Sequence, residues 1–397
     1  MAELNETPRG NRVHIAFFGL RNAGKSTLVN AFTGQQIAIV SDVPGTTTDP
    51  VSKAMEILPL GPCLITDTAG LDDVGELGEM RVSKTLKVLE TVDIAVGVDG
   101  RADCPQSAAA RLESAPYRVV ASACKSRGVV LLEYCRGESV EELKKKIAAV
   151  KLEEKMPGLL DGLVKKGDRV LCVVPIDESA PKGRLILPQQ QVIRECLDRH
   201  VICLVCQVDG LGGLEGLGGL ESFNLVITDS QVFGEVDRAL RTFRTSKPSK
   251  RPKLTSFSIL FARQKGDLGE YEKGLEAIKS LKDGDTVLVA EGCTHHRQCN
   301  DIGTVKIPKA LEKLSGKKLK FEFASGGTFG LRRAEDCAPY RLVVHCGGCM
   351  LTRREMLRRI ALAKEAGVPI VNYGLVLAQA SGIDIENSMF AELTAND

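Results

Sequence analysis

The 397-residue chain is long enough for two to four domains, each with its own core. A formal net charge of +2, 4% aromatics and no Trp argue against a general polyanion binder and against a basic, aromatic-bearing RNA surface. No apolar run is long enough to span a bilayer, and Met1 to Arg12 lacks the apolar core of a secretory signal. Thirteen cysteines in such a chain therefore read as reduced thiols and metal chemistry in a cytoplasmic protein.

Val13 to Phe18 reads as a short β run. It feeds Gly19-Leu20-Arg21-Asn22-Ala23-Gly24-Lys25-Ser26-Thr27 and then a helix pattern, Leu28 to Phe32. This strand–loop–helix context marks a phosphate-binding loop. Its glycines let backbone N–H groups face phosphates, Lys25 reaches the β/γ oxygens, and Ser26 offers its hydroxyl to Mg²⁺. Val43 to Asp49 is a Thr-rich loop from which Thr46 and Thr47 can close onto Mg²⁺. Leu64 to Gly70 is a strand ending in Asp-x-x-Gly, where Asp67 would hold the metal through water and the Gly70 amide would sense the γ-phosphate. The predicted catalytic set is Lys25, Thr47, Asp67 and Gly70. Asn22, Ala23, Gly24, Ser26, Thr27 and Thr46 complete the nucleotide site, with Ser26 and Thr47 on Mg²⁺. These motifs resemble the TrmE–Era branch of small GTPases, which implies GTP as the ligand. The resemblance also implies that Asn22 can help bind a monovalent cation, usually K⁺; a plain turn residue is the other reading.

The base-reading motif departs from that pattern. After the strand Asp93 to Val98, Asn-Lys-x-Asp should follow the next strand, yet Ala123-Cys124-Lys125-Ser126-Arg127 is read in its place. The Asp that would accept two hydrogen bonds from guanine has no counterpart, and Glu133-Tyr134-Cys135 replaces the later Ser-Ala loop. Phosphate binding reads as intact, guanine discrimination as weakened and turnover as slow.

Glu138 to Val150 is a charged helix pattern closing the first domain. Beyond it come a strand at Val170 to Pro175, a helix at Gln189 to Arg199, and a second strand at Val201 to Val208. Cys203 and Cys206 lie inside that strand, where i and i+3 face opposite sides, so they read as core cysteines. Asp209 to Leu220 is a Gly/Leu insert expected to be a flexible loop, and Thr245 to Lys253 reads as a linker. From Phe257 onward, strands at Phe257 to Phe261, Thr286 to Ala290, Leu319 to Phe323, Arg341 to Val344 and Pro369 to Asn372 alternate with helix patterns.

Two of these strands end in Cys/His clusters: Cys293-Thr294-His295-His296 and His345-Cys346-Gly347-Gly348-Cys349. In an open parallel sheet, ligands collect beyond the carboxyl ends of the strands, so the two halves would meet. Three cysteines with neighbouring histidines suit zinc or an iron–sulfur cluster. The long gap between the halves, in a segment able to build its own core, favours a functional cluster.

The chain also resembles the FeFe-hydrogenase maturation GTPases, the HydF family. The matching stretches are Asp161 to Asp168, Val174 to Arg184, Thr255 to Arg263, Cys293 to His296 and His345 to Leu351. The resemblance implies three α/β domains: a P-loop GTPase fold at 1–155, a dimerisation domain at 156–246, and an iron–sulfur domain at 247–397 with an open, mainly parallel sheet. It implies that Cys293, Cys346 and Cys349 ligate a 4Fe–4S cluster whose fourth iron position is exchangeable, with His295, His345 or Asp301 as candidates. It further implies a homodimer or larger assembly that scaffolds the di-iron precursor of the hydrogenase active site. The partners would be two radical-SAM maturases and the hydrogenase apo-protein, with no membrane and no nucleic acid. The competing reading is an RNA- or ribosome-associated GTPase with a structural zinc.

Overall fold

The computed structural model describes residues 7–34, 51–71, 85, 88–99, 115–152, 156–176, 185–242, 251–292, 301–326 and 334–382. Thr46, Thr47, Cys293, His295, His296 and the stretch Asp177 to Arg184 lie outside the described residues. The chain divides into two compact units, Met1–Lys155 and Met156–Asp397.

In the first unit, β1 (Val13–Gly19) is followed by α1 (Lys25–Thr33), β2 (Val51–Ile57), β3 (Gly61–Asp67), β4 (Ile94–Asp99), α2 (Ala115–Arg127), β5 (Val130–Cys135) and α3 (Val140–Ala148). The sheet runs β2-β3-β1-β4-β5, with only β2 antiparallel to its neighbour. β1 is buried along nearly its whole length, as a central strand covered on both faces must be. One face packs Ile15, Phe17, Val29 and Phe32 together; the other packs Ala16, Phe18, Leu89 and Val120. Ser139 caps α3, its side chain accepting from Glu141 N while Glu142 reaches back to the Ser139 N–H.

One sequence expectation changes here. Ala123 to Arg127 is not a loop after a strand but the last turn of α2, and Val129 N–H closes onto Cys124 O at 2.9 Å. The strand after β4, among the described residues, is β5. Glu133-Tyr134-Cys135 ends it, and Arg136-Gly137-Glu138-Ser139 follows it, again without Asn-Lys-x-Asp. Cys135 is disulfide-bonded, against the expectation of reduced thiols throughout, while nine other described cysteines are free.

The second unit carries two four-stranded sheets, both wholly parallel. The first comprises β6 (Arg169–Val173), β7 (Ile202–Cys206), β8 (Leu225–Thr228) and β9 (Lys253–Ser256) in the order β7-β6-β8-β9. Helices α4 (Leu187–Asp198) and α5 (Phe233–Thr242) serve as crossovers. The boundary read from sequence at 246 and 247 leaves β9 with the last domain, whereas β9 pairs with β8. The Gly/Leu insert forms 3₁₀ turns at Asp209–Leu217 and Leu220–Ser222, and Leu214 and Leu220 bury against Leu171, Val173 and Val236. Cys203 packs towards one core and Cys206 towards the other, as alternation along a strand requires.

Phe257 to Phe261, expected as a strand, is the start of α6 (Phe257–Lys265). Ser256 Oγ accepts from Ile259 N–H at 3.2 Å and caps it. The helix packs on α4, on α9 (Arg353–Glu365) and on α10 (Tyr373–Ala380), and is buried nearly all round. A helix buried all round loses the 3.6-residue stripe, so its apolar run reads like a buried strand.

The last sheet is β11-β10-β12-β13, built from β10 (Thr286–Ala290), β11 (Lys320–Ala324), β12 (Leu342–His345) and β13 (Ile370–Asn372). Helices α7 (Leu268–Ala277) and α8 (Ile307–Ser315) join it, and one core spans both sheets of this unit. The approach of α7 to β13 depends on Gly274. A Cβ there would lie 2.0 Å from Ile370 O and 2.5 Å from Ile370 C, both backbone atoms that cannot step aside. Gly274→Ala is therefore expected to lower stability by about 2–3 kcal/mol. Denaturant unfolding checks this; an unchanged midpoint would show that α7 can move away at no cost.

Candidate functional site

The first cluster of functional side chains lies where β1 runs into α1. Asn22 has φ of 58° and Gly24 φ of 86°, so the loop coils left-handed just before the helix N-terminus. Lys25 is buried, its Nζ donating to Gly19 O at 3.2 Å and Leu20 O at 2.8 Å. β3 sits beside β1, which carries Asp67 and Gly70 to the same place. Ser26 Oγ donates to Asp67 Oδ2 at 2.6 Å, and Thr68 Oγ1 donates to Phe17 O at 2.6 Å. Gly70 lies against the loop itself: a Cβ there would be 3.1 Å from Arg21 N and 3.2 Å from Arg21 Cα. Leu71 N–H bonds Gly19 O at 3.2 Å and pins that contact. Asn22, Lys25, Ser26, Asp67 and Gly70 thus converge, with Ala23 and Thr27 on the loop and first helical turn between them.

Asp67 is 0% exposed and its Oδ1 has no hydrogen-bond partner. Burial pushes its carboxyl above the ordinary range, opposed by the Ser26 hydrogen bond and the Lys25 charge. A buried carboxylate oxygen without a partner, next to a hydroxyl and an ammonium, fits a Mg²⁺-nucleotide site.

The second cluster lies beyond the carboxyl ends of β10 and β12. These strands are neighbours, with Ala290 opposite His345. Cys346 N–H bonds Ala290 O at 2.9 Å, continuing the ladder into the turn. Gly292, the residue before Cys293 in sequence, donates its N–H to Cys346 Sγ at 3.1 Å, and Gly348 N–H approaches the same sulfur at 3.4 Å. Cys346 and Cys349 are both partly exposed. Gly348 has φ of 62°, a left-handed conformation that favours glycine, and a Cβ there would require the Met356 methyl to shift. Sulfur atoms that accept backbone N–H bonds at a partly open turn fit a thiolate-ligated cluster.

His345 stands differently from the reading that offered it as an iron ligand. It is 0% exposed and both ring nitrogens are engaged. Arg359 Nη1 donates to Nε2 at 2.8 Å, which puts the ring proton on Nδ1, and Nδ1–H donates to Cys346 O at 2.8 Å. Burial, reinforced by the Arg359 guanidinium, lowers its pKa to about 3, so the ring is neutral. Arg359, also 0% exposed, is held by Glu355 Oε1 at 2.8 Å. Asp301 Oδ2 accepts from Thr304 N–H and Thr304 Oγ1, both at 2.8 Å, and caps the turn that follows.

Two residues here were not picked out from sequence. Arg359 is a charge on the apolar face of α9, beside Met356, Ile360 and Ala363, and that misplacement was its signal. Lys265 closes α6 and lies under the cysteine turn; burial lowers its ammonium to about 8, while Cys349 and Cys346 draw it back up. Nothing local in the sequence marks it. Among the described residues no set of three or more His, Cys, Asp and Glu is gathered as a complete metal site.

The degenerate base-reading region yields a further expectation. A missing bidentate contact to guanine weakens discrimination by roughly 2–5 kcal/mol. GTP and ATP are expected to compete for this site within about tenfold of each other. Fluorescent-nucleotide displacement checks this, and strong guanine preference would mean that another residue reads the base.

Three family models match successive segments of the chain. A model of the 50S ribosome-binding GTPase matches residues 14–122, the hydrogen maturase F dimerization domain matches 159–266, and the hydrogen maturase F tetramerization domain matches 269–389. GTPase Der of Xylella fastidiosa (strain M23) is 36% identical over 151 residues, 36% of this chain and 32% of that protein. The tRNA modification GTPase MnmE of Methylobacterium radiotolerans is 38% identical over 102 residues, 24% of this chain and 23% of that one. This chain thus spans a third or less of the length of these curated relatives. Among solved structures, an Aquifex aeolicus Era variant bound to GDP and AlF4⁻ aligns at 14% identity over 79% of this chain and 94% of that one, with a TM-score of 0.25. The first unit is a GTPase domain, and the two maturase matches mark the second unit as the self-associating part of the chain. Together those two models cover more than half of the sequence, and the chain belongs to the hydrogen maturase F family.

Proposed function

We propose that this chain is a GTP-binding and slowly GTP-hydrolysing scaffold for FeFe-hydrogenase maturation, carrying a 4Fe–4S cluster on Cys293, Cys346 and Cys349. The observation that supports this reading is the Cys346 turn, whose sulfur accepts the Gly292 N–H beyond the carboxyl ends of β10 and β12, inside a segment matched by the maturase tetramerization domain. Held by these thiolates, such a cluster would supply an iron able to take a further ligand. The chain would carry a di-iron precursor as cargo for the hydrogenase apo-protein, with radical-SAM maturases as upstream partners. With both nitrogens of His345 engaged, that ring orients the turn, and His295 or Asp301 remains for the exchangeable position. Anaerobic iron and sulfide analysis with a visible spectrum tests the reading. A colourless protein with stoichiometric zinc would overturn it.

In the first unit, Lys25, Ser26, Asp67 and Gly70, with Thr46 and Thr47, would bind Mg²⁺-GTP, and Asn22 would admit K⁺. Nucleotide chemistry is assigned to residues 1–155, dimerisation to the β7-β6-β8-β9 sheet, and the cluster to the β11-β10-β12-β13 sheet. No described helix is long and apolar enough to cross a membrane, and the proposal places the protein in the cytoplasm.

The dimer contact is assigned to β7. It is an edge strand, and its Ile202 and Val205 are 56% and 42% exposed, an open template for strand pairing. Val205→Lys is expected to shift the full chain to smaller species in light scattering. An unchanged mass would move the interface elsewhere.

A further inference from the structure

We infer that Lys265 is a positioning residue for the cluster site: its buried ammonium folds the Cys346–Cys349 turn and lies as a fixed positive charge beneath the iron–sulfur group. This rests on the cluster reading above. The Lys265 side chain is 0% exposed, and its Nζ donates to Gly348 O at 3.2 Å, Cys349 O at 3.0 Å and Leu351 O at 2.8 Å. Three carbonyls use all three ammonium protons. The Phe261 ring covers the same ammonium, its centroid 5.7 Å from Nζ.

Every one of these hydrogen-bond partners is a neutral carbonyl, with no carboxylate among them. An ammonium held this deeply is costly unless an anion lies close. The lysine's carbonyl partners belong to the cysteine turn itself, where cluster-bound thiolates at Cys346 and Cys349 would supply that anion. The carbonyls of Gly348, Cys349 and Leu351 turn inward to the lysine, while Gly348 N–H turns outward to Cys346 Sγ. One side chain thus shapes both faces of the turn. A 4Fe–4S cluster on thiolates gains negative charge when reduced, and a fixed cation beneath it favours the reduced state.

The experiment uses the full-length chain, reconstituted anaerobically with iron and sulfide. Lys265→Met is expected to weaken cluster retention by roughly 10–100-fold. Lys265→Gln, which keeps two N–H donors without the charge, is expected to keep a cluster whose reduction potential is shifted to more negative values. A merely structural lysine would not move the potential of a retained cluster, so wild-type iron content and potential in the Gln variant overturn the inference alone. A wild-type chain that takes up no cluster overturns the function reading and this inference with it. Should both variants unfold by circular dichroism, acetic anhydride labelling of the wild type decides. Lys265 is expected to react at least about tenfold more slowly than exposed Lys279, because it must wait for local opening. Equal rates would overturn the inference.

Discussion

Cys346→Ser is expected to strip most of the iron and the visible absorption from the anaerobically purified chain, and Cys349→Ser and Cys293→Ser to do the same. Each thiolate would bond a different iron, so none can stand in for another. Cys346 is the most exacting of the three. Its sulfur already accepts the N–H groups of Gly292 and Gly348, so the backbone around it is set for an anionic sulfur. Serine keeps the volume but is a poor, hard ligand for iron–sulfur chemistry. Cys203→Ser and Cys206→Ser serve as controls, since both lie on β7 in the other sheet. The assignment fails if all three ligand variants keep their cluster, or if the β7 variants lose it instead. His345→Gln separates ligand from support. If the ring only orients the turn, the iron stays and the paramagnetic resonance signal changes, because Arg359 and Cys346 O lose their common partner.

The two sites were legible in the sequence to different depths for physical reasons. A phosphate loop is contiguous: its spacing is its geometry, and Gly19 to Thr27 fold as read. The Cys346 turn is likewise local, so its glycines and sulfurs announce it. Topology adds the next step, because β10 and β12 are neighbours and Gly292 after one meets Cys346 after the other. What failed was local reading where burial is uniform. Phe257 to Phe261 carries no stripe because neighbours cover it on all sides, and only its Ser256 cap signals a helix. Ala123 to Arg127 was placed by analogy with a motif that this chain lacks, while its own residues complete a helix. Lys265 was invisible because its partners lie 83 to 86 residues away, and a terminal lysine on a helix reads as solvent-facing.

Lys25→Ala is expected to abolish measurable Mg²⁺-nucleotide binding while leaving cluster content unchanged. The ammonium donates to Gly19 O and Leu20 O, inside the coil of the phosphate loop. Those two carbonyls hold it at the mouth of α1, where the backbone N–H groups of the first turn gather. Charge-assisted hydrogen bonds are worth about 1.5–3 kcal/mol each. Losing two to the β/γ oxygens removes about 3–6 kcal/mol, on the order of 10²–10⁴ in affinity. The same substitution empties a buried position beside Asp67, whose carboxyl burial already pushes upward and which Lys25 holds down. Asp67 should then take up a proton more readily, weakening its hold on Mg²⁺ as well. Isothermal titration with Mg²⁺-GTP checks the affinity, and iron analysis of the same sample checks the independence of the second unit. Wild-type affinity in the Ala variant would show that Lys25 does not serve the phosphates. Loss of iron alongside loss of nucleotide would show that the GTPase domain and the cysteine turn are coupled even at the level of assembly.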